Sequence, residues 1–547
     1  MGAFWETGPV PTPGGDGDNT ASLADADEAE LLDVDDPTSP ALVLLGRIVT
    51  MKEDGEVIDD GAVYLRKGSI VAVAERNDPP PAGFSNAVVI ETGGTIYPGL
   101  LDLHNHLVYN VATLWQVPRA FQNRDQWQRN MGYRENVTMP LGVLAGDRET
   151  VKAIVRYVET KVLLGGTTTV QGMRSRFGSS TPFYTGAVRN FENTDDDRLP
   201  DAGSRIPNLD PSEAGEVDSF RRSLQTKKAY FYHLCEGIDA PTRKHFQNLV
   251  DNDLLQTSLV AIHCLALEGP DLTTLAEKGC KVVWSPLSNL LLYGKTIDAT
   301  RLENVPFTIG CDWTPSGSKN LLEEIKVAWL SAQADGSTLS QEDLVAAVTR
   351  NAAQAVGWGD ALGTIEKGKY ADLLVTDTLA NDPYENLIQT TEANVKLVVI
   401  AGYPRHGDAE LMEQYPPSDG KREDLTVGGR AKQLYLEHPT APLASLSFAE
   451  ALATLEASMS RLRELEAELA AAPFGLSAAE DEGGLLLDND DYPPATPGEP
   501  DLLAAATLPE SIPLDPPTVI DDPDYFDRLE AIGHLPQVLT GLRGFYQ

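Results

Sequence analysis

The sequence predicts an α/β protein with three parts: a (β/α)8 barrel of TIM type, a small composite β-domain drawn from both flanks of that barrel, and a helical to irregular C-terminal extension. Three observations predict it. Over the middle of the chain, short apolar runs that end in polar residues alternate with helical stretches. Runs rich in strand formers lie on both sides of that region. Beyond about residue 420 the alternation stops.

The elements follow in order. Residues 1–40, with "GGDGDNTASLADADEAELLDVDD", are acidic and rich in Gly and Pro, and read as a disordered tail. "ALVLLGRIVTM" (41–51) is an apolar strand, and "GAVYLRKGSIVAVAE" (61–75) reads as a hairpin turning at Lys67-Gly68. "NAVVIETGGTIYPGLLDLHNHL" (86–107) gives one more small strand, a Gly-Gly turn and a buried strand ending in His104 and His106. The first part of the β-domain is therefore placed at 41–98 and the barrel at 99–362.

Within the barrel, "ETVKAIVRYVETKVLLGG" (149–166) has helical spacing and stops at Gly165-Gly166, and "TTTVQG" follows as a short strand. "KKAYFYHLCEG" (227–237), "TSLVAIHCLAL" (257–267), "CKVVWSPLSN" (280–289) and "VPFTIGCDWT" (305–314) are short strands with polar ends. Strand, polar end, helix, repeated, is the pattern of a parallel sheet. Residues 174–226 are short for two ordinary βα units, so an irregular stretch is expected there. Residues 340–358 read as helical. "GTIEKGKYADLLVTDT" (363–378) reads as a second hairpin, turning at Lys367-Gly368 and opening the second part of the β-domain at 363–415. The extension, 416–547, carries a helix at about 447–472 that opens on a Ser447/Glu450 capping box. Residues 476–526 are acidic and Pro-rich and read as extended or disordered.

The totals exclude several function classes. The 547 residues include 82 acidic and 43 basic side chains, for a net charge of −39. Such a surface repels nucleic acid and anionic membrane, because binding either depends on Lys and Arg neutralising phosphates. No run approaches the ~20 apolar residues of a membrane helix. The first residues lack the basic start and apolar stretch of a secretory signal, which favours the cytoplasm. The cysteines, Cys235, Cys264, Cys280 and Cys311, form no C-x-x-C pair and read as reduced core residues.

The chemistry lies at the strand ends. His104 and His106 close one strand; His233 closes a later one, with Glu236 three residues on; His263 closes the next and Asp312 the last. Alternate residues of a strand share a face, so His104 and His106 point together into the barrel mouth. With His233 and Asp312 they make a set of three nitrogens and one oxygen that suits zinc or ferrous iron and leaves a position for water. A metal in that set lowers the pKa of its water and supplies hydroxide near neutral pH. Any one of these histidines alone is most simply structural. The ordered set carries the reading.

The blocks "GGTIYPGLLDLHNHL", "LLGGTTTVQG", "YHLCEG", "AIHCLAL", "SPLSNLLLYG", "IGCDWTPSGSKNLLEEI" and "NAAQAVGWGDALGTIEKGKYADLLVTD" occur in that order. Over about residues 41–405 the chain resembles the amidohydrolase superfamily, near its cytosine deaminase and triazine hydrolase branch. The resemblance implies that His104, His106, His233 and Asp312 bind the metal, zinc before iron, and that Asp312 takes a proton from the bound water. It implies that Glu236 shuttles protons to the ring nitrogen and then to the leaving group, while His263 polarises the reacting carbon. Binuclear relatives bridge their metals with a carboxylated lysine; no lysine occurs between Lys161 and Lys227, so one metal is expected, with Glu192 the weaker candidate for a bridge.

Trp115, Arg119, Asn289 and Trp313 are the expected substrate contacts. On segment 113–137, Trp115, Arg119, Arg124, Trp127 and Tyr133 either line the pocket or pack the loop over the metal. The implied function is hydrolysis of a non-peptide C–N bond in a small molecule, by deamination of an amino-heterocycle. Cyclic amide or halide hydrolysis by the same residues, or metal binding without turnover, are the alternatives. The oligomeric state, including a homo-oligomer, is left open.

Overall fold

β1 (Leu42–Val49), β2 (Val57–Arg66) and β3 (Ser69–Glu75) pair antiparallel, and β4 (Val88–Pro98) lies parallel to β1 on its other side. Lys67 and Gly68, at φ 49° and 73°, make the tight turn between β2 and β3 where the sequence places it. The computed structural model describes residues 41–173, 186–194, 196–415, 421–437, 445–471 and 506–547, with Leu443 and Leu487. The acidic tail expected at 1–40 lies outside these residues.

The Gly93-Gly94 pair does not turn the chain. β4 runs straight through it, with a register shift opposite Leu45 to Arg47. Gly94 is needed for close approach: a Cβ there would lie 2.3 Å from the Thr376 carbonyl oxygen. A glycine pair in a strand is a bulge signal as much as a turn signal, and here the bulge prevails.

Two parallel sheets follow. One holds β5 (Leu100–Asp102), β6 (Thr167–Val170) and β7 (Arg189–Asn190). The other runs β8 (Gly203–Arg205), β9 (Tyr230–Leu234), β10 (Leu259–His263), β11 (Lys281–Trp284) and β12 (Phe307–Ile309) in sequence order. β9, β10 and β12 are buried at every residue, as expected of parallel strands covered on both faces. Helices Arg148–Leu164, Glu216–Thr226, Ala240–Asp251, Gly269–Glu277 and Pro286–Tyr293 make the returns. Between β7 and β8 the described residues form turns and no helix, so this stretch is irregular, as its length implied.

Hydrogen bonds cross both gaps between these sheets. Ala202 N donates to Phe191 O at 2.8 Å beyond β7 and before β8. Beyond β5 and β12, Asp312 N donates to His104 O at 2.8 Å and His106 N to Asp312 O at 2.6 Å.

β13 (Leu373–Thr376), β14 (Val395–Ile400), β15 (Tyr403–Asp408), β16 (Glu423–Val427) and β17 (Arg430–Leu434) complete a nine-stranded sheet ordered β16-β17-β15-β14-β13-β4-β1-β2-β3. Strands from both flanks thus share one sheet. The hairpin expected at 363–378 does not form, and only β13 of it is a strand. Its turn and the start of its second arm are claimed by the β2–β3 turn: Ile70 N donates to Lys369 O, Gly368 N to Ile70 O and Ala371 N to Gly68 O, while Ile365 N of the first arm donates to Thr50 O. Those backbone groups are then unavailable for self-pairing.

The extension differs most from expectation. The capping box at Ser447 and Glu450 is present, but the single helix expected over 447–472 is two, Phe448–Met459 and Leu462–Ala471. At the break, Leu462 N donates to Glu510 O and Ile512 N to Met459 O, so a later segment of the chain takes over the backbone bonding. Of the acidic segment 476–526, residues 506–526 are packed against the rest of the protein, with Asp515 and Thr518 fully buried. The rest of that segment, apart from Leu487, lies outside the described residues. Farther on, Tyr525, Leu529, Ile532, Leu539 and Leu542 pack with Leu287, Leu291 and Val327 in one apolar cluster. Among the described residues no helix is long and apolar enough to cross a membrane.

Candidate active site

β5 ends at Asp102, and the chain carries His104 and His106 just beyond it, on either side of Asn105. Their spacing still turns both rings to one side, with centroids 5.1 Å apart. His233 lies in β9, His263 is the last residue of β10, and Asp312 follows β12. His263 and Asp312 sit at φ 65° and 67°, and Cys235 and Cys264, beside His233 and His263 in the chain, at 55° and 52°. Positive φ is uncommon for residues with a Cβ and clusters where surrounding structure over-determines the backbone. For Asp312 that surrounding is the bond from its N–H to His104 O.

The side chains converge. His104, His106 and His233 form one group whose ligand atoms lie within 4.8 Å of one another, as do His104, His263 and Asp312, and His233, Glu236 and His263. His104 Nε2 lies 3.1 Å and His106 Nε2 3.5 Å from Asp312 Oδ1. His106 Nε2 faces His233 Nε2 at 3.2 Å. All six side chains are buried.

Burial pushes His104 down to about 4, only partly offset by the Asp312 charge. Burial, followed by the neighbouring imidazoles of His104, His106 and His263, holds His233 well below the usual histidine range. Burial alone would raise the Asp312 carboxyl, yet the imidazoles led by His104 keep it well below the usual carboxylate range. At neutral pH, His104 and His233 are uncharged and the carboxylate is ionised, the state in which these side chains ligate a cation.

The donor set also fits a cation by what it lacks. His104 Nδ1 and Nε2 and His233 Nδ1 are buried without a hydrogen-bond partner; the Nε2 approach to Asp312 is misaligned for one. Each such buried polar atom costs about 1–3 kcal/mol. Two ring nitrogens facing each other at 3.2 Å can share at most one proton. A cation between them satisfies what a proton cannot. No cysteine belongs to any of these groups, and all four thiols are buried and free, in line with the packing role read from the sequence.

Glu236 stands beside this cluster. It accepts a 2.6 Å bond from the Tyr293 hydroxyl, which itself accepts from Trp127 Nε1 at 2.9 Å. Its other oxygen lies 3.7 Å from Arg124 NH1 and 3.8 Å from His263 Nε2. Asn289 Oδ1 lies 3.1 Å from His263 Nδ1 and accepts from it, and His263 Nε2 faces Glu236 and Asp312. Ser288 Oγ donates to Asp312 Oδ2 at 2.5 Å.

The structure therefore brings together His104, His106, His233, Glu236, His263 and Asp312, with Asn289 touching His263. Trp313 packs 6.0 Å from the His106 ring. Trp115 is a layer farther out: it packs on Tyr133, which packs on Trp313. Arg119 is exposed, with its guanidinium 4.7 Å from the Phe121 ring centroid, and is not among the buried groups around the histidines. Of the segment 113–137, Arg124 reaches Glu236, whereas Trp127 and Tyr133 pack the loop. Glu192 is in none of the ligand groups among the described residues; it accepts bonds from Gln171, Gly172 and Ser204. Sequence reading missed Tyr293 and Ser288. The signal was available for Tyr293, which lies one helical turn after Asn289 on helix Pro286–Tyr293 and so shares its face.

Fold and donor set define the class: a parallel α/β protein with a buried histidine–carboxylate cluster at the C-terminal ends of its strands. Residues 224–405 match the amidohydrolase family model, and the chain carries an amidohydrolase-family domain. It is 25% identical over 376 residues to a 5-methylthioadenosine/S-adenosylhomocysteine deaminase of Syntrophobacter fumaroxidans, covering 61% of this chain and 84% of that one. It is 27% identical over 356 residues to an imidazolonepropionase of Aromatoleum aromaticum, covering 57% and 84%. Among solved structures it is similar to the zinc complex of atrazine chlorohydrolase from Arthrobacter aurescens, with TM-score 0.53, 18% identity, and coverage of 66% and 94%. The likeness to solved structures places the chain among TIM-barrel-type α/β folds.

Proposed function

We propose that this chain is a mononuclear metal-dependent hydrolase that deaminates an amino-substituted heterocycle. The observation that carries the reading is the convergence of three buried imidazoles and one carboxylate, with ring nitrogens of His104 and His233 that have no hydrogen-bond partner. His104, His106, His233 and Asp312 would hold the cation, zinc before iron. When bound, such a cation supplies Lewis acidity and makes water nucleophilic at neutral pH.

The chain's own residues do the rest. Asp312 accepts a proton from the attacking water. Glu236, held by Tyr293 and flanked by Arg124, carries one proton of the attacking water to the ring nitrogen and then relays the second, taken up by Asp312, to the departing amine. His263, oriented by Asn289, sets Nε2 against the attacking water or the substrate oxygen and so polarises the reacting carbon. Asn289 and Trp313 contact the substrate; Trp115 supports that wall, and Arg119 would reach it only by leaving Phe121. The parallel strands would close into one barrel through the bonds that cross both gaps. The divisions at 98 and 362 are retained for the domains and the cytoplasm for location, whereas the boundary expected at 415 moves to Leu434, where the nine-stranded sheet ends.

The test combines two measurements on the full chain. Metal analysis is expected to give one zinc per chain, and a panel of amino-heterocycles is expected to release ammonia. Release of halide, or ring opening of a cyclic amide without ammonia, would reassign the leaving group while keeping the site. Bound metal with no turnover on amines, amides and halides would favour a binding protein instead.

A further inference from the structure

The family resemblance stops near residue 405, yet the extension reaches the floor of the candidate site. Residues around 514 lie against the loop that follows His106: Leu514 bridges Ala112, and Asp515 N donates to Val111 O at 2.9 Å. The Asp515 carboxylate is fully buried. Its Oδ2 is held by Lys161 Nζ at 2.7 Å and Lys319 Nζ at 2.8 Å, both fully buried as well. Its Oδ1 has no partner.

Lys161 leads inward. Its ammonium also donates to Asn110 O at 2.6 Å and to Thr314 Oγ1 at 3.3 Å. The Asn110 side chain then ties the two ligand-bearing loops together: its Oδ1 accepts from Thr314 N at 2.8 Å, and its Nδ2 donates to Asn105 Oδ1 at 3.0 Å. Asn105 Nδ2 donates to Asp102 Oδ2 at 2.9 Å, and Asp102 Oδ1 accepts from the backbones of His104 and Cys311. The hydrogen bonds thus run without a gap from Asp515 to the residues on both sides of the ligands.

We propose that Asp515 of the C-terminal extension is a positioning residue for the metal site, setting the loops of His104, His106 and Asp312 through Lys161 and Asn110. The physical reason is charge. Buried ammonium groups need a compensating carboxylate, and breaking such a pair leaves an uncompensated charge that the structure must move to solvate. Lys161 would then no longer be fixed under Asn110, and the loops would lose their shared tie. The proposal rests on the metal reading above for its effect on affinity, but not for its effect on the loops.

The experiment compares the full chain with Asp515→Asn, Lys161→Met and Leu539→Ala. Leu539 is buried in the same extension but has no place in the network. Zinc affinity is read by competition with a chromophoric chelator. Amide hydrogen exchange of peptides covering 104–115 and 311–318 is read on metal-free protein, with melting temperatures alongside. Asp515→Asn and Lys161→Met are expected to weaken zinc binding by about tenfold or more, the scale of partners that orient metal ligands. Both should speed exchange in the two peptides. Leu539→Ala should lower the melting temperature and change neither. If the first two variants keep unchanged affinity and exchange, or Leu539→Ala matches them in both, the positioning role is wrong. If only one of the two network variants folds, that variant against Leu539→Ala decides. A wild-type chain that takes up no zinc would instead refute the proposed function, and the exchange measurement would still decide the relay.

Discussion

Glu236→Gln is expected to keep its metal and lose turnover by about 10²–10⁴-fold, the usual contribution of a positioned general acid–base. The substitution is nearly isosteric, and its amide oxygen can still accept from the Tyr293 hydroxyl, so the pocket keeps its shape. What it removes is the capacity to take and return a proton. Glu236 lies 3.8 Å from His263 Nε2, and the other carboxylate there, Asp312 at 3.9 Å, is assigned to the metal. The measurement is kcat on the amine that the substrate panel identifies, with zinc content determined on the same preparation. Loss of zinc together with activity would make Glu236 a ligand rather than a proton carrier. Undiminished kcat would remove it from the mechanism.

His233→Ala is expected to abolish stoichiometric zinc and with it the stabilisation that zinc confers. His233 joins the cluster from β9, on the other sheet from His104 and His106, so its loss leaves ligands only from the β5 and β12 side. A ligand that binds only the folded state stabilises it by about 4 kcal/mol at a thousandfold excess over its Kd. The wild-type melting temperature should therefore rise steeply with added zinc, and that of the variant should not. The apo variant is expected to be no less stable than the apo wild type, because it loses a buried imidazole whose Nδ1 has no partner. A variant that still takes up one zinc per chain, with the same thermal response, would place the metal elsewhere.

Much of this site is written locally. His104 and His106, His233 with Glu236, His263 and Asp312 each end an apolar run, and a short parallel strand buried on both faces is among the clearest patterns a sequence carries. Their meeting follows from the strand ends being brought to one side. What local pattern could not give was competition for backbone groups. Gly93-Gly94 resembles a turn until the Thr376 carbonyl is seen lying against it. The 363–378 segment resembles a hairpin until the β2–β3 turn takes its bonds. The break between Met459 and Leu462 is made by residues about fifty positions later in the chain, Glu510 and Ile512.

The extension was the least legible part for the same reason. An acidic, Pro-rich stretch lacks the apolar density of a core segment, and nothing near Asp515 in the sequence announces that two buried lysines await it. Lys161 and Lys319 each fall within or beside a helix whose other residues explain its burial. Their charges are matched by carboxylates of the extension, Asp515 for both and Asp522 for Lys319.

Zinc K-edge X-ray absorption on the purified full chain, with metal content on the same sample, tests the central claim most directly. The account predicts one zinc per chain with only nitrogen and oxygen neighbours at about 2.0–2.2 Å, including the multiple-scattering pattern of imidazole. A sulfur shell at about 2.3 Å, a second metal close to the first, or a spectrum without imidazole would contradict it.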